Sequence, residues 1–362
     1  MRDSTDCGND DVLSGRAAST SEGSLSVGAV TLPNRVFLAP LSGISDVPFR
    51  RLARRFGAGM VVSEMVASAE LVQGHPESAL RALRDGEGTH VVQLAGRDPA
   101  WTRAAAAQLA DAGADVIDIN MGCPAKKVVG GLSGSALMRE PELALRIVEA
   151  TVAGAAHVPV TLKMRLGWDT NSINAPEIAK RAEAAGVRMI TVHGRTRVQF
   201  YSGQADWRAI AAVKAAVGVP VVANGDLTEP EQRRRMLFLS GADALMIGRG
   251  AQGRPWLPGL VAGSIDLAGL DRLSFADLVT EHYDGILDHY GEVVGIRAAR
   301  KHLGWYLDRF AEATGATPAA DRPMLMSSLD RRQVQRTLRH LFGGTTIGAI
   351  ERGRRVASVE AA

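Results

Sequence analysis

Cysteine is nearly absent: the 362 residues hold two, Cys7 close to the start and Cys123 well inside the chain. Cysteines so placed exclude a disulfide framework, and CxxC-type spacings are missing, so no metal site is expected. No run approaches the roughly 18 uninterrupted apolar residues of a membrane span, and no stretch resembles a secretory signal. Nor is there a large charge of either sign: the formal net charge is +3, with 46% hydrophobic and 22% charged residues. That is ordinary soluble usage. The expectation is a cytoplasmic monomer that does not associate with membranes.

The length exceeds one typical domain, whereas an α/β barrel takes about 250 residues, so a barrel with one appendage fits. Residues 1–24 are polar, small and acidic. They hold too little apolar surface to offset the entropy of ordering, which predicts a disordered tail, and their acidity argues against a transit peptide. Eight short β-branched runs follow: Arg35–Ala39, Met60–Glu64, His90–Leu94, Asp115–Asn120, Val160–Arg165, Met189–His193, Val219–Asn224 and Ala244–Gly248. Helix-like runs such as Pro99–Ala112 and Pro141–Ala155 separate them, and Gly113, Gly186 and Gly241 each close a helix before the next strand. Alternation of this kind demands a parallel sheet with helical crossovers. Eight copies predict an α/β fold of the (β/α)8 TIM-barrel type over residues 25–268, with an open doubly wound sheet as the alternative.

Beyond about Gly269 the strand signals stop. Ser274–Tyr290, Gly295–Phe310 and Ser328–Phe342 carry helical periodicity, which predicts a smaller C-terminal all-helical domain over 269–350 and a loose tail over 351–362. From Gly295 to Arg355 there are twelve basic against five acidic residues. Arg297, Arg300, Lys301 and His302 form one cluster, and Arg331, Arg332, Arg336 and Arg339 another. A solvated helix face or an anionic partner explains such a surplus.

Barrel active sites lie at the carboxyl ends of the strands. There the sequence places Pro40, Leu41 and Ser42, then Glu64, Gln93, Asn120 with Cys123, Lys163 with Arg165, His193, Asn224-Gly225-Asp226, and Gly248-Arg249. Eight polar ends converging on one mouth exceed what loop anchoring requires. Gly248–Gly253 formally matches GxGxxG, but no acidic-ended strand follows to complete a dinucleotide-binding unit. The same glycines suit a barrel phosphate site beside a helix N-terminus, with Arg249 adding a charged contact.

Several ordered motifs carry a family resemblance: LAPLSGISDVPFR (38–50), VVQLAGRDP (91–99), DINMGCPAKKVVGGLSGSALM (118–138) and LKMRLGWD (162–169). TVHGRTR (191–197), VVANGDL (221–227), MIGRGAQGRPW (246–256) and, in the helical region, KHLGWY (301–306) continue it. Together they resemble the tRNA-dihydrouridine synthases, within them the bacterial B-type (NifR3-like) branch. One departure is APLSG at 39–43, where the family usually has APMAG; it touches only fine cofactor packing.

The resemblance implies FMN over the barrel mouth, NADPH as electron donor and tRNA as substrate. Pro40, Leu41 and Ser42 would line the flavin ring, Gln93 would bond its pyrimidine edge, and Lys163 would stand near N1 and the C2 carbonyl. His193, Asn224, Gly225, Asp226, Gly248 and Arg249 would hold the ribityl phosphate. Cys123 would be the general acid: a free thiol, with an ordinary pKa of about 8.5, is protonated at neutral pH and can give its proton to C5 of a uracil reduced at C6. Asn120 would read the uracil edge, Glu64 and Arg165 would position the nucleotide, and Arg297, Arg300 and Lys301 would meet the RNA. Which uridine is reduced is not legible. Three other readings stay open: an FMN barrel acting on a free pyrimidine, such as a dihydroorotate dehydrogenase; a Schiff-base barrel using Lys163; and a non-catalytic tRNA-binding barrel.

Overall fold

The computed structural model describes residues 23–316 and 318–360, without the side chains of Lys127 and of residues 355–360. The acidic tail expected over 1–24 therefore lies outside the described residues up to position 22, as does Cys7. Strands β1 (Leu25–Val27) and β2 (Val30–Leu32) pair antiparallel as a hairpin. Eight strands then form a closed parallel barrel. They are β3 (Val36–Leu38), β4 (Met60–Ala67), β5 (Val91–Ala95), β6 (Val116–Met121), β7 (Val160–Arg165), β8 (Met189–His193), β9 (Val221–Asn224) and β10 (Ala244–Ile247). β10 closes the ring by pairing with β3.

Helices return the chain from each strand end, and their caps are local. Asp46, Asp98 and Asp206 each accept backbone N–H bonds at a helix N-terminus. Gly113, Gly186 and Gly241 all take the positive φ expected of residues just past a helix end.

Strand alternation divides the barrel side chains into an inner and an outer set. Phe37, Met60, Val62, Val91, Val116, Met189, Val222, Ala244 and Met246 pack together as an apolar floor. Leu25, Val27 and Leu32 of the hairpin join that cluster and plug it from below. The opposite strand faces, including Val61, Val92, Ile117, Leu162, Ile190 and Leu245, pack in a second cluster with the surrounding helices. Because side chains alternate with period two, residues further along the floor-facing register are the polar ones: Gln93, Asp118, Asn120, Thr161, Lys163, Thr191, His193 and Asn224. The apolar floor thus carries a polar upper layer that opens at the strand ends.

The expected helical domain is present as Phe275–Tyr290, Glu292–Thr314, Arg322–Ser327, Arg331–Phe342 and Ile347–Glu360. Its core includes Phe275, Tyr283, Tyr306, Phe310 and Phe342, and extends to Trp256, Leu52 and Phe56 of the barrel. The junction is packed rather than a linker. Two expectations need correction. The stretch 351–362 is helical through Glu360 rather than loose, because Glu351 is fully buried against the barrel. Its carboxylate accepts from Arg254 Nη2 at 2.5 Å and Nε at 3.1 Å, and from Trp256 Nε1 at 3.0 Å. His302 is no part of a basic face: it is buried between Phe49, His282 and Trp305, and burial holds its imidazole well below its ordinary pKa. No helix among the described residues is long and apolar enough to cross a membrane, and no cluster there could hold a metal.

Candidate active site

A cavity of about 840 Å³ opens at the carboxyl ends of the barrel strands. Pro40, Leu41 and Ser42 line it at the end of β3, Gln93 from β5, and Asn120 and Cys123 at the end of β6. Lys163 and Arg165 of β7, His193 of β8, Asn224, Gly225 and Asp226 after β9, and Gly248 and Arg249 after β10 complete the ring. The structure therefore brings together every residue expected at the flavin, and Cys123 with them. Glu64, Arg297, Arg300 and Lys301 do not line the cavity.

The polar upper layer is wired internally. Register puts Asp118 beside Gln93 on one side and Thr161 on the other. Its carboxylate accepts from Gln93 Nε2 at 2.6 Å and from Thr161 Oγ1 at 2.6 Å. Gln93 Oε1 accepts from Asn120 Nδ2 at 2.7 Å, and Asn120 Oδ1 accepts from the amides of Gly122 and Cys123 at 3.1 and 3.0 Å. Burial pushes the Asp118 carboxyl up, opposed by these bonds and by the Lys163 charge. Lys163 is lowered to about 8, first by burial and then by Arg165, against the pull of Asp118 and Cys123. His193 is held far below its ordinary pKa by burial and then by Lys163, Arg165, Arg195 and Arg249. The ring is neutral, and its Nε2 accepts from Arg195 Nη1 at 3.3 Å.

Four expected roles change in this geometry. Arg165 lines the cavity, yet it is 1% exposed and its guanidinium donates to the carbonyls of Gly122, Thr196 and Phe200 at 2.8, 2.8 and 2.9 Å. It staples two loops and has little left for a nucleotide. Glu64 is turned to the β3 loop, accepting from Gly43 N at 2.5 Å, because a buried carboxylate needs a donor and the mouth offers cations elsewhere. Asp226 is an unsuitable phosphate ligand: like charges repel, and it instead bonds Arg195 twice, at 2.8 and 2.6 Å, and Arg249 at 3.2 Å. Burial raises the Asp226 carboxyl, but these arginines and the Ala205 amide hold it below its ordinary pKa. Asn120 has its carbonyl oxygen filled by two amides, so one N–H is what it still offers a base.

Gly225 is needed where it stands: its φ is +120°, and a Cβ would lie 2.7 Å from Ala205 Cβ and 2.9 Å from the His193 ring. Gly253 departs from the phosphate reading of its motif. A Cβ there would lie 2.9 Å from the carbonyl oxygen of Trp305, so this glycine lets the loop dock on the helical domain.

Sequence reasoning missed Asp118, Arg195, Tyr201, Trp305 and Arg309. Asp118 carried a signal, since it shares strand parity with Asn120. Arg195 lay in a quoted motif without a role. Tyr201 meets Phe200 edge-to-face with ring centroids 4.6 Å apart, and the Arg249 guanidinium sits 4.6 Å from its ring. Trp305 and Arg309 reach the cavity from the Glu292–Thr314 helix, a contact that only domain docking creates.

A closed barrel with one such mouth defines a (β/α)8-barrel enzyme. Among solved structures it is similar to histamine dehydrogenase from Rhizobium sp. 4-9, with a TM-score of 0.52 and 14% identity over 72% of this chain and 50% of that one. It is also similar to a 2-naphthoyl-CoA reductase, with a TM-score of 0.53 and 13% identity over 69% of this chain and 53% of that one. At those identities the likeness is of fold alone. The model of the dihydrouridine synthase (Dus) family matches residues 37–321. A probable tRNA-dihydrouridine synthase of Rhizobium leguminosarum bv. phaseoli is 56% identical over 328 residues, 91% of this chain and 100% of that protein. The tRNA-dihydrouridine synthase B of Pseudomonas aeruginosa is 48% identical over 286 residues, 78% of this chain and 86% of that protein. The chain belongs to the dihydrouridine synthase family.

Proposed function

We propose that this chain is a flavin-dependent tRNA-dihydrouridine synthase, reducing the C5=C6 bond of uridines in tRNA, with FMN over the barrel mouth and NADPH as the electron donor. The observation that supports the reading is that Cys123 and the half-buried Lys163 line the same cavity. The lining residues fit the cofactor. Lys163 would supply a cation to negative charge on a reduced flavin, and Gln93 keeps one N–H beyond the one it donates to Asp118. Gly225 and Gly248 add no side chain of their own at the β9 and β10 ends, and Arg249, held by Asp226, would supply positive charge to a phosphate there. Neutral His193 adds no second charge at that end.

When bound, the reduced flavin supplies the hydride for C6 of the uracil. Cys123 then gives its thiol proton to C5, quenching the enolate-like charge left on the base. The hydrogen bond from Cys123 N to Asn120 Oδ1 fixes the backbone that carries the thiol. Arg165 holds the Gly122 and Phe200 carbonyls, so both loop walls of the mouth stay in place while a base enters. A uridine must leave its stack to reach this depth. Exposed Arg332, Arg336 and Arg339 offer phosphate contacts that help to offset that cost.

The test is dihydrouridine formation in tRNA transcripts by protein reconstituted with FMN and reduced by NADPH. Cys123→Ala should slow product formation by about 100-fold or more while flavin absorbance and RNA binding persist. A Cys123→Ala protein of unchanged rate removes the acid role. Preferential turnover of free uracil or orotate would replace tRNA by a free pyrimidine as the substrate.

A further inference from the structure

Asp118 sits one layer beneath the cavity and does not line it, yet the hydrogen-bond polarity of the site begins there. A carboxylate only accepts, so the Gln93 side chain must turn its NH2 group toward Asp118. Gln93 Oε1 is then left facing Asn120, which must present its own NH2. Asn120 Oδ1 is thereby aimed at the amides of Gly122 and Cys123, which only donate. Acceptor-only and donor-only groups close the two ends, and one orientation of each amide between them satisfies both. Reversing either amide sets donor against donor at Cys123 or acceptor against acceptor at Asp118. All three side chains are buried, so no water competes freely for these bonds.

We propose that Asp118 is a positioning residue: acting through Gln93 and Asn120, its carboxylate sets the orientation of the Cys123 backbone and of the one Gln93 N–H left for a ligand. Thr161 completes the device by donating to the second carboxylate oxygen, so that Asp118 cannot rotate away from Gln93. The consequence for turnover rests on Cys123 being the proton donor. The wiring itself does not.

The experiment therefore uses full-length protein without flavin or RNA, and reads the rate of Cys123 alkylation by iodoacetamide, resolved from Cys7 by peptide mass spectrometry. Asp118→Ala removes the acceptor and should change the Cys123 rate by about three- to tenfold. Asp118→Asn should stay near wild type, because its amide can still accept from Gln93 and donate to the Thr161 hydroxyl. Gln93→Leu cuts the relay one bond later and should reproduce the Asp118→Ala change, and the double variant should add nothing further. Should Asp118→Ala fail to fold, Gln93→Leu against Asp118→Asn decides the matter. Unchanged labelling in Gln93→Leu, or additive effects in the double variant, overturns the proposal. Altered labelling with full dihydrouridine synthesis would instead keep the relay and overturn only the acid role of Cys123.

Discussion

Arg165, Arg195 and Arg254 in the barrel, and Arg332, Arg336 and Arg339 in the helical domain, are one residue type in two conditions. The barrel arginines are about 2% exposed or less, and each is bound on several sides: Arg165 by three carbonyls, Arg195 by Asp226 and two loop carbonyls, Arg254 by Glu351 and the Thr228 carbonyl. The helical-domain set lies exposed at i, i+4 and i+7 spacing, so it shares one helix face. Arg331 differs from its cluster in being tied down by Asp284 and Asp288. Buried guanidinium holds loops and domains in register, since leaving it unpaired is expensive. Exposed guanidinium contributes little to stability and leaves a positive field for an anionic partner.

That contrast can be broken in three places. The largest effect should come from Glu351→Ala, which leaves Arg254 only the longer 3.7 Å pairing with Glu229 and leaves Trp256 Nε1 without its acceptor; about 3 kcal/mol of stability should be lost. Urea unfolding checks it, and a loss below about 1 kcal/mol would mean that the C-terminal helix is not held by this pair.

Next is Asp46, which caps the Val47–Arg55 helix and is raised to about 7, first by burial, with the Glu64 charge adding to it. Between about pH 4 and 7 the unfolded carboxyl ionises while the folded one keeps its proton, so wild-type stability falls as pH rises through that window. Asp46→Asn keeps a capping side chain and removes the titration. Its advantage over wild type should therefore grow from pH 4 to 7 and level off above, on the order of 2 kcal/mol. Parallel stability curves for the two proteins would contradict this.

The smallest effect on the fold, though not on binding, belongs to the surface set. Replacing Arg332, Arg336 and Arg339 by Gln should leave the unfolding midpoint unchanged. It should weaken tRNA binding about tenfold at moderate salt and flatten the salt dependence by about two to three in slope. An unaltered slope would move the RNA to another face.

Strand and helix order, the helix-closing glycines Gly113, Gly186 and Gly241, and the ring of residues at the strand ends were all readable along the chain. Each depends on neighbours a few residues apart, and parallel strands with helical crossovers place strand ends on one rim whatever the details. The β1–β2 hairpin escaped notice because its strands are three residues each, too short to show a period. Asp118 was visible as a strand residue, and its parity with Asn120 would have placed it inside the barrel.

What a charged side chain does once inside depends on partners far off in sequence, and that only the folded chain decided. Arg165 closes on a carbonyl 35 residues away, Asp226 on an arginine 31 away, and Glu351 on Arg254, 97 away. Local sequence determines which groups reach the mouth, because backbone periodicity is local. Whether a group there remains free for a ligand or is already committed follows from burial, where an unpaired charge is not tolerated and the nearest complementary group, however distant in the chain, takes it.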